Sequence, residues 1–143
     1  MESDAIIEAL GLSPHPEGGW YRETWRAAAA PGARAGGTAI LFLLRAGERS
    51  HWHRVDADEL WLWQAGAPLE LMAAGADAGP IVTCRLGGAI DGGEQLQQVV
   101  PAGAWQAAAS LGGWTLVSCV VVPGFDFAGF ELAAPDWAPG AAS

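Results

Sequence analysis

The stretch that decides the fold is Gly47-Glu48-Arg49-Ser50-His51-Trp52-His53, which is followed by Glu59. Side chains alternate between two faces along an extended strand, so we predict that His51 and His53 point to one side and Trp52 to the other. The turn-rich residues after His53 allow a second strand, beginning at Glu59, to return beside the histidines. Two histidines and one carboxylate form a ligand set that suits Fe, Mn, Ni or Zn.

The rest of the chain reads as many short strands after one helix. Ser3 to Leu10 carries apolar residues at helical spacing, and Gly11 is a plausible stop. Strands are predicted at Trp20–Trp25, Thr38–Leu44, Ser50–Val55, Glu59–Trp63, Leu69–Ala73, Ile81–Leu86, Gln97–Val100, Trp105–Ala108, Trp114–Val122 and Phe130–Leu132. Short strands separated by turn residues at this spacing predict an all-β protein, an antiparallel sandwich or barrel.

The histidine motif, closed by Gly66, resembles the first signature of the cupins. Four segments together resemble one family of small single-domain cupins of unassigned activity: PHPEGGWYRET at 14–24, HWHRV with DEL-W at 51–61, VPAGAWQ at 100–106 and PGFDF at 123–127. This resemblance covers about residues 5–137. It implies a cupin double-stranded β-helix, a jelly-roll barrel, with a short N-terminal helix. The expected organisation is one domain at 1–143, with the barrel at roughly 18–134 and a flexible tail at 135–143.

The segment from Gly93 to Gln106 resembles the second cupin signature. That signature implies a third metal-binding histidine. In this chain Gln106 stands at that position. The implied metal ligands are therefore His51, His53, Glu59 and Gln106, although glutamine is a poorer ligand than imidazole for these ions. Two expectations follow for cofactors: one divalent transition metal (Fe, Mn, Ni or Zn), or no cofactor at all.

Residues 18–23 resemble an early strand of the deoxysugar epimerases that act on dTDP-4-keto sugars, a strand that is often exchanged between subunits. The resemblance implies that Arg22 and Glu23 contact the ligand, because guanidinium suits phosphate or carboxylate. The alternative is an ordinary ion pair across a dimer edge. Tyr21, the only tyrosine, is a candidate acid, and its alternative is a structural aromatic at a strand end.

Without a metal, the same residues can move protons. His51 or His53, oriented by Glu59, suits a general base that removes a proton next to a carbonyl. Alternation places Trp61 and Trp63 on the face of Glu59, where they would stack on a sugar or heteroaromatic ring, unless they are core residues. The sequence therefore predicts a cupin that binds a small polar or sugar-like molecule, with isomerase or epimerase chemistry. The alternatives are a metal-dependent oxygenase and a non-catalytic binding module.

Composition limits the partners. The chain has 143 residues, no lysine, seven arginines and a formal charge of −9, which disfavours nucleic acid and anionic membranes. The N-terminus is acidic where a signal peptide would be basic, so a cytoplasmic protein is expected. Cys84 and Cys119 are far apart in apolar strands and are predicted to be buried free thiols. A homodimer is the expected assembly, because two-fold dimers are the commonest closed arrangement.

Overall fold

The protein is described by a computed structural model covering residues 1–141, and within that range it is mostly β with one short helix. The elements, in chain order, are α1 Ser3–Leu10, β1 Ser13–Pro14, β2 Trp20–Arg26, β3 Thr38–Arg45, β4 Arg49–Val55, β5 Asp58–Gly66, β6 Leu69–Ala74, β7 Val82–Leu86, β8 Gln97–Val100, β9 Trp105–Ser110, β10 Trp114–Val122 and β11 Phe130–Leu132. Short 3₁₀ turns occupy Ile90–Gly92 and Phe127–Gly129. The predicted all-β class is confirmed.

The strands form two antiparallel sheets that pack face to face. The first has the order β1-β2-β3-β10-β5-β8, and the second the order β11-β4-β9-β6-β7. Alternate side chains point between the sheets, which gives β10 its regular pattern of buried and half-buried residues. The main core lies between the sheets and contains Phe42, Leu44, Trp61, Leu69 and Leu71 among others. This layered arrangement is consistent with the predicted jelly roll.

Helix α1 begins and ends where the sequence predicts. Gly11 closes it in the left-handed conformation, with φ of 65°. Ile6 packs with Leu12 and Leu43 in a second apolar cluster, which covers one end of the outer face of the first sheet. The predicted strands are all present, and the largest difference is in β5, which continues to Gly66 instead of ending at Trp63. The long partner β10 pairs along that extension, with Thr115 opposite Gly66.

A third apolar cluster covers the outer face of the second sheet and includes Trp52 and Trp105. The ring of Trp137 lies 4.5 Å from that of Trp105, so part of the segment 135–141 packs on the barrel. The flexible tail at 135–143 stays a prediction, and Ala142 and Ser143 lie outside the described residues. Both cysteines are free; Cys119 is buried and Cys84 half-buried. No helix among residues 1–141 is long and apolar enough to cross a membrane.

Candidate functional site

A cavity of about 480 Å³ lies between the two sheets. Strands β2, β3, β5 and β10 of the first sheet and β4 of the second line it, together with three connecting segments. The polar or charged lining residues are His15, Glu17, Tyr21, Glu23, Arg26, Arg34, Thr38, His53, Glu59 and Asp126. Ile40, Val55, Val121, Phe125 and Phe127 supply apolar surface. A concave site with a few convergent polar groups on apolar walls is typical of small-molecule binding.

The imidazole of His53 is held in one tautomer. Its Nδ1 lies 2.7 Å from the backbone carbonyl oxygen of His51, which can only accept a hydrogen bond, so Nδ1 carries the proton. Burial lowers the pKa of His53, and only 2% of its side chain is exposed. The neutral ring therefore keeps a free lone pair on Nε2, at 3.4 Å from Oε2 of Glu17. This arrangement suits a general base.

Glu17 reaches the cavity from the connection between β1 and β2, because two glycines follow it. Gly18 and Gly19 have φ of 108° and 77°, a region that side chains rarely adopt. A Cβ on Gly18 would collide with the carbonyl oxygen of Arg49, and one on Gly19 would lie 2.8 Å from the rings and methyls of β3. The close approach lets the His51 amide donate to the Glu17 carbonyl oxygen at 2.8 Å, which fixes the connection to β4.

The carboxyl of Glu17 is buried without a positively charged partner among residues 1–141. Ser50 donates a hydrogen bond to its Oε2, and only 10% of the side chain is exposed. Burial raises the pKa of Glu17 to about 8, and the Ser50 hydrogen bond opposes part of that rise. At neutral pH Glu17 is therefore mostly a neutral acid that faces the lone pair of His53.

His15 is a second neutral imidazole of the cavity. The Glu17 amide donates to its Nδ1 at 3.1 Å, so the ring proton is on Nε2. Burial lowers the pKa of His15 to about 4, with a smaller contribution from His53. The 3.2 Å approach of Nδ1 to Oε1 of Glu17 is consequently not an ion pair. The Tyr21 ring packs edge-on against His15, with centroids 4.5 Å apart.

Glu59 is oriented by a buried hydrogen-bonded series. Nε1 of Trp61 donates to Oε1 of Gln106 at 2.7 Å, and Nε2 of Gln106 donates to Oε1 of Glu59 at 2.9 Å. The indole N–H of Trp61 can only donate, so the amide oxygen of Gln106 must face it, and this fixes the orientation of the amide. Burial raises the pKa of Glu59, and the neighbouring His53 opposes the rise. Gln106 is fully buried, so it acts on the cavity through Glu59.

The structure places some predicted site residues in the cavity and others outside it. Tyr21, Glu23, His53 and Glu59 line the cavity. The others lie outside its lining: His51, Arg22, Trp61, Trp63 and Gln106. His51 bonds the carbonyl oxygen of Ala134 through Nε2 at 2.8 Å, Arg22 donates to the carbonyl of Leu10, and Trp63 donates to that of Ala67.

The predicted alternation of His51 and His53 fails at an irregularity in β4. Its register with β9 shifts between Ser50 and His53, so these two residues, three positions apart, both face Glu17. Such bulges interrupt strict alternation and re-aim side chains. His51 therefore bonds Ala134 instead of entering the cavity.

The predicted metal ligands are not brought together around one point. His51 lies outside the cavity, and the amide of Gln106 is bonded on both sides by Trp61 and Glu59. Within residues 1–141 no group of three or more His, Cys, Asp or Glu side chains has an arrangement that could hold a metal ion. The residues as placed do not fit the predicted metal site, and the chemistry that they support is proton transfer.

Two ion pairs stand at the open end of the cavity. Arg26 pairs with Glu23 at 2.6 Å and donates to the carbonyl of Phe125; Arg34 pairs with Asp56 at 2.7 Å and donates to the carbonyl of Gly124. Each arginine therefore ties the segment after β10 to the cavity wall. The rings of Phe125, Phe127 and Phe130 contact one another in this segment, with centroids 4.8 to 5.9 Å apart.

The sequence reasoning missed several lining residues, among them His15 and Glu17, and it missed Ser50, which lies outside the lining and bonds Glu17. His15 and Glu17 belong to the PHPEGG segment, which drew attention only as part of a family resemblance. The signal available was the Gly18-Gly19 pair, since adjacent glycines indicate a close backbone approach and the preceding residues are then held near another strand. Nothing in the sequence marked Ser50.

Comparison with known proteins agrees with the fold. A family model described as Cupin superfamily (DUF985) matches residues 4–133. An X-ray structure of a protein from Shewanella oneidensis is 40% identical, with a TM-score of 0.88 over 94% of this chain and 85% of that one. A hypothetical protein from Leishmania major is 34% identical, with a TM-score of 0.85 over 94% of this chain and 88% of that one.

A more distant likeness concerns the fold alone. Oxalate decarboxylase from Bacillus subtilis is 15% identical and superposes with a TM-score of 0.63, over 83% of this chain and 29% of that one. No curated protein matches the chain.

Proposed function

The chain belongs to the family described as Cupin superfamily (DUF985), and we propose that its cavity binds a small polar, sugar-like molecule and catalyses isomerisation or epimerisation next to a carbonyl. The observation that carries this proposal is the pairing of a free imidazole lone pair, Nε2 of His53, with the neutral carboxyl of Glu17 at 3.4 Å. A base and an acid whose pKa values are displaced by burial are what proton transfer near neutral pH needs.

The proposed reaction starts with His53. Its Nε2 takes the proton from the carbon next to the carbonyl, and the carbon–hydrogen electron pair moves into a carbon–carbon double bond. The carbonyl electron pair moves onto oxygen, which receives the proton of Glu17, so that an enol forms. For the isomer, the protonated His53 returns its proton to the former carbonyl carbon, and the hydroxyl on the original carbon gives its proton to Glu17. For the epimer, the original carbon is protonated from the opposite face, with the Tyr21 hydroxyl as the candidate donor, while the enol hydroxyl gives its proton back to Glu17. His53 then loses its proton to the solvent, and Tyr21 takes one up.

Glu59 and His15 support this chemistry, while His53 alone acts as the base. The negative charge of Glu59, when it is ionised, stabilises the protonated imidazole that forms on His53. His15 presents an N–H on Nε2, which suits hydrogen bonding to a hydroxyl or carbonyl oxygen of the substrate. Ile40, Val55 and Val121 line the cavity with apolar side chains, which strengthens these electrostatic interactions by excluding water.

Solvent isotope exchange tests the proposal. The protein is incubated in deuterated water with a panel of aldoses, ketoses and keto-deoxysugars, and deuterium next to the carbonyl is followed by NMR and mass spectrometry. We expect exchange with the wild type and with Glu131→Gln, an exposed carboxylate paired with Arg54 away from the cavity. We expect exchange to be about 10² to 10⁴ slower with His53→Gln. Binding without exchange would favour a non-catalytic binding module, and exchange at the wild-type rate in His53→Gln would refute the role of the base.

A further inference from the structure

The cavity lining holds four carboxyl groups and two arginines. The side chains of Glu17 and Glu59 are buried in it. Neither contacts an arginine among residues 1–141, and the basic side chains that contact Glu17 there are the histidines His15 and His53. A buried carboxylate without a cation is costly, and proteins normally pair it or hold it neutral. The cation that would match these carboxyls is not supplied by the chain.

The two arginines of the cavity lining are already committed. Arg26 is bound to Glu23 and Arg34 to Asp56, and both donate further hydrogen bonds to the backbone of residues 124–125. Asp126 adds another carboxylate to the lining. The open end of the cavity therefore offers no surplus positive charge to an anionic ligand. The formal charge of −9 on the whole chain acts in the same direction.

The unpartnered atoms of the cavity are mainly acceptors. Nε2 of His53 has a free lone pair, no hydrogen bond among residues 1–141, and a side chain 98% buried, since 2% is exposed. Among residues 1–141, every fully buried side-chain nitrogen or oxygen has a hydrogen-bond partner. Nε2 of His53 has none, so this atom is not fully buried and is accessible from the cavity. The carboxyl oxygens of Glu17 and Glu59 are acceptors too when ionised. Two donors, the Nε2 hydrogen of His15 and the Tyr21 hydroxyl, accompany them.

We propose that the ligand of this cavity is a small protonated amine that also carries hydroxyl or carbonyl groups, as an amino sugar does. The inference rests on the proposed function and narrows its substrate class. An ammonium group has three donors and one positive charge, which matches the carboxyls of Glu17 and Glu59 and leaves the lone pair of His53 free to act as the base. The His15 donor then meets an oxygen of the same ligand. Tyr21 and Phe125, on the cavity wall, present aromatic surface that is compatible with a cation.

The protonation state of Glu17 makes this inference measurable. Its pKa of about 8 means that it holds a proton at neutral pH, and an ammonium beside it favours the ionised form. Amine binding therefore releases a proton to the solvent, whereas a neutral ligand does not. In the amine complex the ammonium N–H takes the place of the Glu17 carboxyl as the proton donor to the carbonyl oxygen. Ser50, His15 and His53 contact this carboxyl, and Glu59 lies close enough to interact with it electrostatically.

The experiment compares matched pairs of probes by calorimetry near neutral pH: 2-aminoethanol against ethylene glycol, and glucosamine against glucose. We expect each amine to bind at least about tenfold more tightly than its hydroxyl partner, as expected for an ion pair in a desolvated site. Titration in two buffers of different ionisation enthalpy should show proton release with the amines only. Glu17→Gln and Glu59→Gln should each remove most of the amine preference, while Glu131→Gln keeps it.

Several results would overturn the inference. These are equal binding of amine and hydroxyl probes, preference for the hydroxyl probe, tighter binding of oxalate than of either amine, or no binding of any amine. An amine preference that survives in both cavity variants would place the amine elsewhere and overturn it as well. The proposed function is tested separately. If deuterium exchanges into an amine-free keto sugar but the amine probes show no preference, the proton chemistry stands and only the amine inference fails.

Discussion

Nε2 of His53 lies 3.4 Å from Oε2 of Glu17, and the two residues reach this contact from different kinds of element. His53 is part of β4 in the wall of the barrel, whereas Glu17 lies in the connection between β1 and β2. The acid and the base therefore depend on separate features: the irregularity in β4 for His53 and the Gly18-Gly19 pair for Glu17. Each can be tested separately.

Replacement of His53 should remove proton transfer, and replacement of His51 should not. We expect His53→Gln to lower isotope exchange by about 10² to 10⁴, the range typical for loss of a general base. His51→Ala keeps the backbone carbonyl that orients His53, so its exchange rate should stay close to that of the wild type. Rates per folded protein, with folding checked by circular dichroism, give the comparison. A larger loss in His51→Ala than in His53→Gln would contradict the assignment.

The pH dependence of stability should carry the signature of Glu17. The native carboxyl keeps its proton up to about pH 8, whereas an ordinary glutamate loses it near 4.5, so the folded state binds more protons between these values. The free energy of unfolding therefore falls as pH rises through this window, by up to about 1.4 kcal/mol per pH unit from this group. Urea denaturation of wild type and Glu17→Gln at several pH values measures it.

The variant should show a flatter profile than the wild type across that window, because its amide does not titrate. Glu131→Gln is the control and should keep the wild-type slope, since its carboxylate is exposed. A wild-type slope in Glu17→Gln would mean that another group, such as Glu59, holds the proton instead.

Gln106 should be important for stability although it touches no ligand. Gln106→Leu leaves the indole N–H of Trp61 and the carboxyl of Glu59 without their buried partner. Each unsatisfied group costs about 1–3 kcal/mol, so we expect a clear fall in the free energy of unfolding. Gln64→Leu, which removes an exposed hydrogen bond to Ser118, should change it by less than about 0.5 kcal/mol. Similar losses in the two variants would argue against the Trp61–Gln106–Glu59 series.

Thr38 should control the mobility of the segment that closes the cavity. Its hydroxyl accepts a hydrogen bond from the Phe125 amide at 2.9 Å. Thr38→Val removes this acceptor at nearly constant volume, and we expect hydrogen exchange of the Phe125 amide to accelerate by about tenfold, as loss of one hydrogen bond implies. Thr24→Val, an exposed threonine of β2, is the matched control. Unchanged exchange at Phe125 in Thr38→Val would show that the two arginines suffice to hold the segment.

Much of the barrel could be predicted from sequence because its signal is local. Alternation and turn residues located the strands, and β8, β10 and β11 have the predicted ends. The site was harder, since it depends on where alternation breaks. His51 and His53 follow the two-residue rule in sequence, yet the shifted register of β4 places Ser50 with His53 instead. The sequence left Trp61 open between the cavity wall and the core; it lies in the core, where its N–H is used by Gln106.

The Gly18-Gly19 turn has a consequence for how such a protein diversifies. The base is built into a strand that pairs with a neighbour on both sides, whereas the acid is delivered by the short connection between β1 and β2. Exchanging that connection alone would change which ionisable groups lie in the cavity and would leave the strands in place. Relatives with the same fold can therefore acquire different chemistries through a few substitutions.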